Sequence, residues 1–301
     1  MSTCVSARRP PSQAPAALVG LSATVLGSQG LRAPRRAGQL LERTNFHGRT
    51  VSLRGGAGVA LGAVAAPAWT AALHARRPST ALPALAGAVA AACGGLAGLV
   101  DDLDAGAHDG DVPAKGLRGH LGALRQGRVT TGVLKIGVIG AGAVAAGGLL
   151  AAGRRRPGRT ASAVADAVTS AVVIASWANL HNLLDLRPGR ALKTGLLVTT
   201  PLAVAPGGEA SRVLAAGAAG AAVAALPEDL AEDTMLGDTG ANALGALVGT
   251  SLAAHPAAAL RLAAACLGAG LVLASERISF SKVIAASPVL NALDTLGRRA
   301  Q

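Results

Sequence analysis

The chain has 301 residues, of which 51% are apolar, 15% charged and 1% aromatic, with a net charge of +12 and a mean hydropathy of +0.45. Soluble domains average about 25% charged residues and build their cores on large aromatic side chains, so a soluble globular fold is excluded. The positive charge lacks the aromatic-interleaved basic motifs of a nucleic-acid binder, and Cys4, Cys93 and Cys266 are too widely spaced for a metal motif or a disulfide framework.

A membrane-spanning helix needs about 20 mostly apolar residues, and lipid-exposed backbone must hydrogen-bond within its own segment. On that basis the chain predicts an all-α, polytopic membrane bundle of about nine or ten helices. It forms a single integral domain over 1–301, with tails at 1–13 and 298–301. Abundant Ala and Gly suit helices whose backbones approach closely in lipid.

The first predicted helix, 14–30, is read as an uncleaved span rather than a signal peptide. The stretch TNFHGRTVSLRGGAG, 44–58, places Arg54, Gly55 and Gly56 in a turn that suits phosphate or a basic interface anchor. Helices 55–75 and 80–100 follow. The second runs into GLVDDLDAGAHDGD, 98–111, which sets Asp101 and Asp102 at a helix C-terminus. The dipole there is negative and a carboxylate is unfavourable, so these acids belong either to a solvated helix stop or to a site. Helix 129–153 carries Lys135 near its start, where a charge snorkels outward or faces a polar site.

Helix 160–184 ends in WANLHNLLDLRPGRALK, 177–193. Asn179, Asn182 and Asp185 are spaced i, i+3, i+6 along one face, with Arg187 close behind. Amide, carboxylate and guanidinium together suit a metal–phosphate ligand, against the alternative of an Asx-rich helix stop with basic anchors. Short segments 191–208 and 211–227 come next. MLGDTGANALG, 235–245, then places Asp238 before helix 239–254, either as an ordinary N-cap or as a site residue. The last predicted span is 257–274.

With nine helices the loops fall into two sets. One holds 31–54, 101–128, 185–193, 226–238 and 275–301; it carries seventeen of the Lys and Arg residues against ten in the other. Basic excess marks the cytoplasmic side. Fourteen of the sixteen acids lie in the same set, and acids contribute little to topology, so a shared site at that face is the reading. Three separated acidic sequences meeting at one interface suit a divalent cation and phosphoryl transfer, in which catalysis is mostly positioning and charge neutralisation.

At GLVDDLD (98–104), NLHNLLD (179–185) and LGDTGANALG (236–245) the chain resembles the polyprenyl-phosphate N-acetylhexosamine-1-phosphate transferases, glycosyltransferase family 4. That family includes the phospho-N-acetylmuramoyl-pentapeptide transferase and its GlcNAc-1-phosphate counterpart. The resemblance runs from about residue 44 to the C-terminus; RGG at 54–56 sits where the family has a Gly-Gly turn, and Lys135 matches a lysine of its active-site helix. It implies a multi-pass plasma-membrane enzyme with a cytoplasmic-face site, using Mg²⁺ or in its place Mn²⁺. The reaction moves a sugar-1-phosphate from a UDP-sugar to undecaprenyl or another polyprenyl phosphate, releases UMP, and serves peptidoglycan or another envelope polysaccharide. It further implies Asp238 as principal metal ligand, with Asp102, Asn182 and Asp185 also at the metal. Asp101 and Asp102 would bind or deprotonate the lipid phosphate. Asn179, Asn182, Asp185, Lys135, Arg187, Arg54, Gly55 and Gly56 would hold substrate.

The chain departs from the family in two places. After Asp185 it reads DLRPGRALK where the family continues Asp-Gly-Leu-Asp-Gly-Leu, and its C-terminal stretch has no histidine where the family has a histidine-rich loop. These departures keep open a non-catalytic relative that binds lipid-linked intermediates. A transporter is the third reading, disfavoured because the polar residues crowd one interface instead of the midplane. Membrane lipids are expected partners, nucleic acid is not, and a homodimer is left open.

Overall fold

The structure is a computed structural model that describes residues 13–32, 40–104, 122, 130–154, 160–206 and 208–299. Asp109 and Asp111 of the acidic stretch, and Cys4, lie outside the described residues. Among the described residues, nine helices correspond one for one to the nine predicted segments. They are α1 (Gln13–Gly30), α2 (Arg54–Leu73), α3 (Pro78–Asp104), α4 (Thr131–Gly153), α5 (Thr160–Leu184), α6 (Arg190–Val204), α7 (Glu209–Leu230), α8 (Gly237–Ala253) and α9 (Ala258–Ser275). Six of them, α2–α5, α7 and α9, are long and apolar enough to cross a membrane. The chain is therefore a multi-pass, all-α membrane bundle.

Helices α6 and α8, at 15 and 17 residues, are shorter than those six. At about 1.5 Å rise per residue they fall short of the roughly 30 Å hydrocarbon core. For α8 the reason is its position. Every residue from Thr239 to Ala253 is buried, because α2, α3, α5 and α7 surround it. It is the core of the bundle rather than a lipid-facing span. The lipid-facing surface belongs to the outer helices, where Leu134 and Val144 of α4, Val164 and Val168 of α5, and Leu262 and Leu267 of α9 are exposed.

Small residues make this enclosure possible. A Cβ added at Gly98 of α3 would lie 2.1 Å from the carbonyl oxygen of Asp238, and one at Gly245 of α8 would lie 2.5 Å from the carbonyl oxygen of Trp177 in α5. Backbones pack almost directly against each other at these crossings, which is how membrane helices gain van der Waals contact.

The loop contacts separate two ends of the bundle. At one end a hairpin forms that the all-helical reading did not include: β1 (Glu42–Thr44) pairs antiparallel with β2 (Thr50–Ser52). The Asn45 side-chain oxygen accepts from the backbone N–H groups of His47 and Arg49, both at 2.9 Å, and Gly48 supplies positive φ. This Asx turn closes the hairpin. Ser52 bridges to Thr234, and Arg43 donates to the carbonyl of Asp102. At the other end Arg154 and Arg261 both pair with Asp166, and Thr80 donates to Glu209.

Two short helices, α10 (Phe280–Ala286) and α11 (Pro288–Thr295), follow α9 at the hairpin end. Asp294 holds them there. Arg190, at the start of α6, grips its carboxylate with two bonds of 2.8 Å, and Arg298 adds a third at 2.7 Å. The C-terminal stretch expected as a tail from residue 298 is thus tethered at Arg298, which also donates to the carbonyl of Pro188. Burial pulls the Asp294 carboxyl upward, but the bonds and charge of Arg190 and then Arg298 outweigh it and hold the group below the usual carboxylate range.

Two expectations follow. Gly98→Ala should destabilise the detergent-solubilised protein by about 1–3 kcal/mol, because the opposing atom is backbone and cannot move aside. Gly148→Ala, with nothing within 4 Å, should not lower the melting temperature. The Asp294 clamp is fully formed above the usual carboxylate pKa of about 4 and is lost as pH falls through the lowered native value. Asp294→Asn at neutral pH should therefore raise amide exchange across 280–299, and acidification of the wild type should do the same, whereas alkaline pH should not.

Candidate active site

The acids at the end of α3 find their partner in another helix. Asp102 Oδ1 accepts from the backbone N–H of Asp238 at 3.0 Å; its Oδ2 accepts from the N–H of Thr239 at 2.9 Å and the Thr239 hydroxyl at 2.6 Å. These are first-turn donors of α8, otherwise without an intrahelical acceptor. The carboxylate that is misplaced at the C-terminus of α3 is well placed at the positive N-terminus of α8. Gly237 makes the approach possible: its φ is +58°, and a Cβ there would lie 2.5 Å from Leu53 and 2.9 Å from Asp102 Oδ1.

Asp238 follows directly and turns its side chain away from this cap. Lys135 reaches it from the second turn of α4, forming a close ion pair with Asp238 Oδ2 and a longer one, 3.4 Å, with Asp101 Oδ2. The Lys135 side chain is only 11% exposed, so it faces the bundle interior rather than snorkelling. With its amide turned to satisfy both neighbours, Asn182 of α5 donates to Asp238 Oδ1 at 2.6 Å and accepts from Lys135 at 3.0 Å. Four helices thus bring Asp101, Lys135, Asn182 and Asp238 to one point.

These four line a cleft of about 540 Å³ together with Asn179. Its walls are apolar, with Ile136 and Ile139 from α4 and Val272 and Leu273 from α9. It opens between α4, α5 and α9, the helices that carry much of the exposed apolar surface.

Asp185 lies just beyond α5 and opens on a second, smaller cleft of about 370 Å³, which it lines with Arg187, Phe46, Asp229 and Glu232. Burial, then the charges of Asp229, Asp238 and Asp102, push its carboxyl well above the usual range, while a backbone hydrogen bond from Gly237 pulls the other way. The Arg187 guanidinium covers the Phe46 ring at 3.1 Å from its centroid.

The remaining predicted residues have structural partners. Arg54 donates to Ser28 at 2.7 Å and pairs with Glu228 at 2.8 Å, so its charge ties α1 and α2 to α7. Gly55 and Gly56 lie against Thr234 and the carbonyl of Leu236, where any Cβ would collide. They are points of close backbone packing under Asp238. Phe46, Asp229 and Glu232 were not singled out from the sequence. Asp229 and Glu232 stand in the acidic run PEDLAEDT, a signal that was present; Phe46 carried none.

Among the described residues no three His, Cys, Asp or Glu side chains gather as a metal cage. The Asp101–Asp238 pair instead fits an ion such as Mg²⁺, which takes one or two carboxylates and fills its shell with waters and substrate phosphates. Asp102 has both oxygens committed to α8, which makes it the residue that positions Asp238.

Asp102→Ala removes the acceptor for two backbone donors and a hydroxyl. It should cost about 1–2 kcal/mol of stability, measured as a lower unfolding midpoint in detergent, and Asp102→Asn should cost less because one acceptor oxygen remains. No protein-family model, curated protein or solved structure matches this chain.

Proposed function

We propose that the protein is a Mg²⁺-dependent transferase that moves a sugar-1-phosphate, of the N-acetylhexosamine type, from a UDP-sugar to a membrane polyprenyl phosphate. The observation that carries this reading is the pairing of Lys135 with both Asp101 and Asp238, with Asn182 beside them, at a cleft walled by apolar helices. Ionisable residues drawn into the interior of a membrane bundle are costly and mark functional sites. Here they combine a cation for phosphate, carboxylates for a metal and an apolar flank for a prenyl chain.

In this reading a phosphate oxygen of the lipid attacks the sugar-bearing phosphorus of the donor. The bond to the UMP oxygen breaks, and UMP leaves. Lys135 contacts the phosphates, and Asn182 fixes the Asp238 carboxylate. Asp102 holds Asp238 in register through the start of α8. Asp101 would accept a proton from the lipid phosphate. Mg²⁺ held by Asp238 and Asp101 would neutralise the charge that builds on the transferring phosphoryl group. The Phe46–Arg187 cleft beside Asp185 is offered to the remainder of the donor. Arg190 and Lys193 are not assigned to it: Arg190 is bound to Asp294, and Lys193 donates to the carbonyls of Leu293, Asp294 and Leu296. The excess of Lys and Arg in the loops at the site end supports a cytoplasmic orientation for that end.

UMP release from a panel of UDP-sugars, with undecaprenyl phosphate and Mg²⁺, tests the reading. Asp238→Asn and Lys135→Met should each lower turnover by about 100-fold or more, and a chelator should abolish it until Mg²⁺ or Mn²⁺ is restored. Arg187→Ala should raise the donor KM with a smaller effect on kcat. If no donor yields UMP while polyprenyl phosphate still binds, the protein is a non-catalytic binder of lipid phosphates.

A further inference from the structure

Helices α10 and α11 have an amphipathic character that the site does not use. Asp294 is their one buried residue, and it faces Arg190. Ile278, Val283, Val289, Leu290, Leu293 and Leu296 are exposed by 44–70%. In α11, Val289 and Leu293 are spaced i, i+4, and Leu296 follows one turn on, so they share a face. Asn291 and Thr295 point to other sides of the helix and are also exposed.

The surroundings identify the occupant of this face. The pair follows α9 directly, and the outer side of α9 is itself apolar and exposed at Leu262, Leu267 and Leu273. The exposed apolar surface therefore continues from a helix long and apolar enough to cross the bilayer into the two short helices at its end. The same segment exposes Arg277, Lys282 and Arg299 against one exposed acid, Glu276. Apolar side chains interleaved with cations match the boundary between acyl chains and anionic headgroups.

We infer that α10 and α11 lie in the membrane interface, with Val289, Leu293 and Leu296 in the acyl region and Arg277 and Lys282 among anionic lipid headgroups. The Asp294 clamp fastens this pair to the Pro188–Arg190 turn, three residues after Asp185, so the leaflet supports the rim of the smaller cleft.

The test uses the full chain with Cys4, Cys93 and Cys266 replaced by alanine, carrying a nitroxide on a single introduced cysteine, in bilayers of phosphatidylcholine and phosphatidylglycerol. Collisions with oxygen, which concentrates in lipid, are compared with collisions with a water-soluble nickel chelate. Val289→Cys and Leu293→Cys should favour oxygen; Asn291→Cys and Thr295→Cys should reverse the order. Raising the phosphatidylglycerol fraction should deepen the 289 label, and Arg277→Gln with Lys282→Gln should remove that dependence. Nickel access at all four positions would overturn the inference. So would protection of 289 and 293 from both agents with spin–spin broadening, which would assign the face to a second copy. The same labels read in detergent-solubilised protein retaining its wild-type melting temperature separate a detached pair from an unfolded chain.

Discussion

The contact between the Asp102 carboxylate and the first turn of α8 is the constraint on which the site depends. It joins the negative end of one helix to the positive end of another through a charged acceptor, and it fixes the register of Asp238 to within one hydrogen bond. Without it α8 would begin with unsatisfied donors inside the bundle, and Asp238 would have no fixed direction relative to Asp101 and Lys135. Gly237 and Gly98 are small because the two helices meet here without room for a Cβ.

A similar device recurs nearby. Asp229, at the end of α7, accepts from the N–H of Gly189 at 2.5 Å, where α6 begins. Acids at the ends of two helices therefore organise the starts of two others. The crowding of carboxylates at this end serves architecture as well as chemistry, and it leaves a smaller group, Asp101, Asp238 and Lys135, facing the larger cleft. Asp185 lines the smaller cleft, where burial and then the neighbouring acids Asp229, Asp238 and Asp102 disfavour its charge. A cation beside it would lower that cost.

The opposite end carries a charge cluster of a different kind. Arg154 and Arg261 share Asp166 and also donate to backbone carbonyls, Arg154 to Ala253 at the end of α8 and Arg261 to His255 and Pro256. Cations at a helix C-terminus satisfy its free carbonyls and suit its dipole. There the charges are matched to the ends of the helices, whereas at the site end a lysine pairs with two carboxylates.

Much of this was legible in the chain alone. Apolar length set the nine helices, because lipid leaves a backbone few other choices. The alternation of nine helices placed Asp101, Asp102, Asp185 and Asp238 at one end, where Asp102 meets the start of α8 and Asp185 meets Gly237. Spacing placed Asn179 and Asn182 on one helix face, and both line the same cleft. Only the tertiary structure decided how the residues divide their tasks. Asp102 and Asp101 are neighbours in sequence and alike in chemistry, yet one caps α8 and the other meets Lys135. The Phe46–Arg187 stack, the binding of Arg54 by Glu228 and the enclosure of α8 all depend on partners more than a hundred residues away or on crossings with neighbouring helices. Hydropathy and local spacing report the solvent a segment prefers and the face a residue shares; the direction of a charge is fixed by the dipoles and carbonyls it meets, and those come from other parts of the chain.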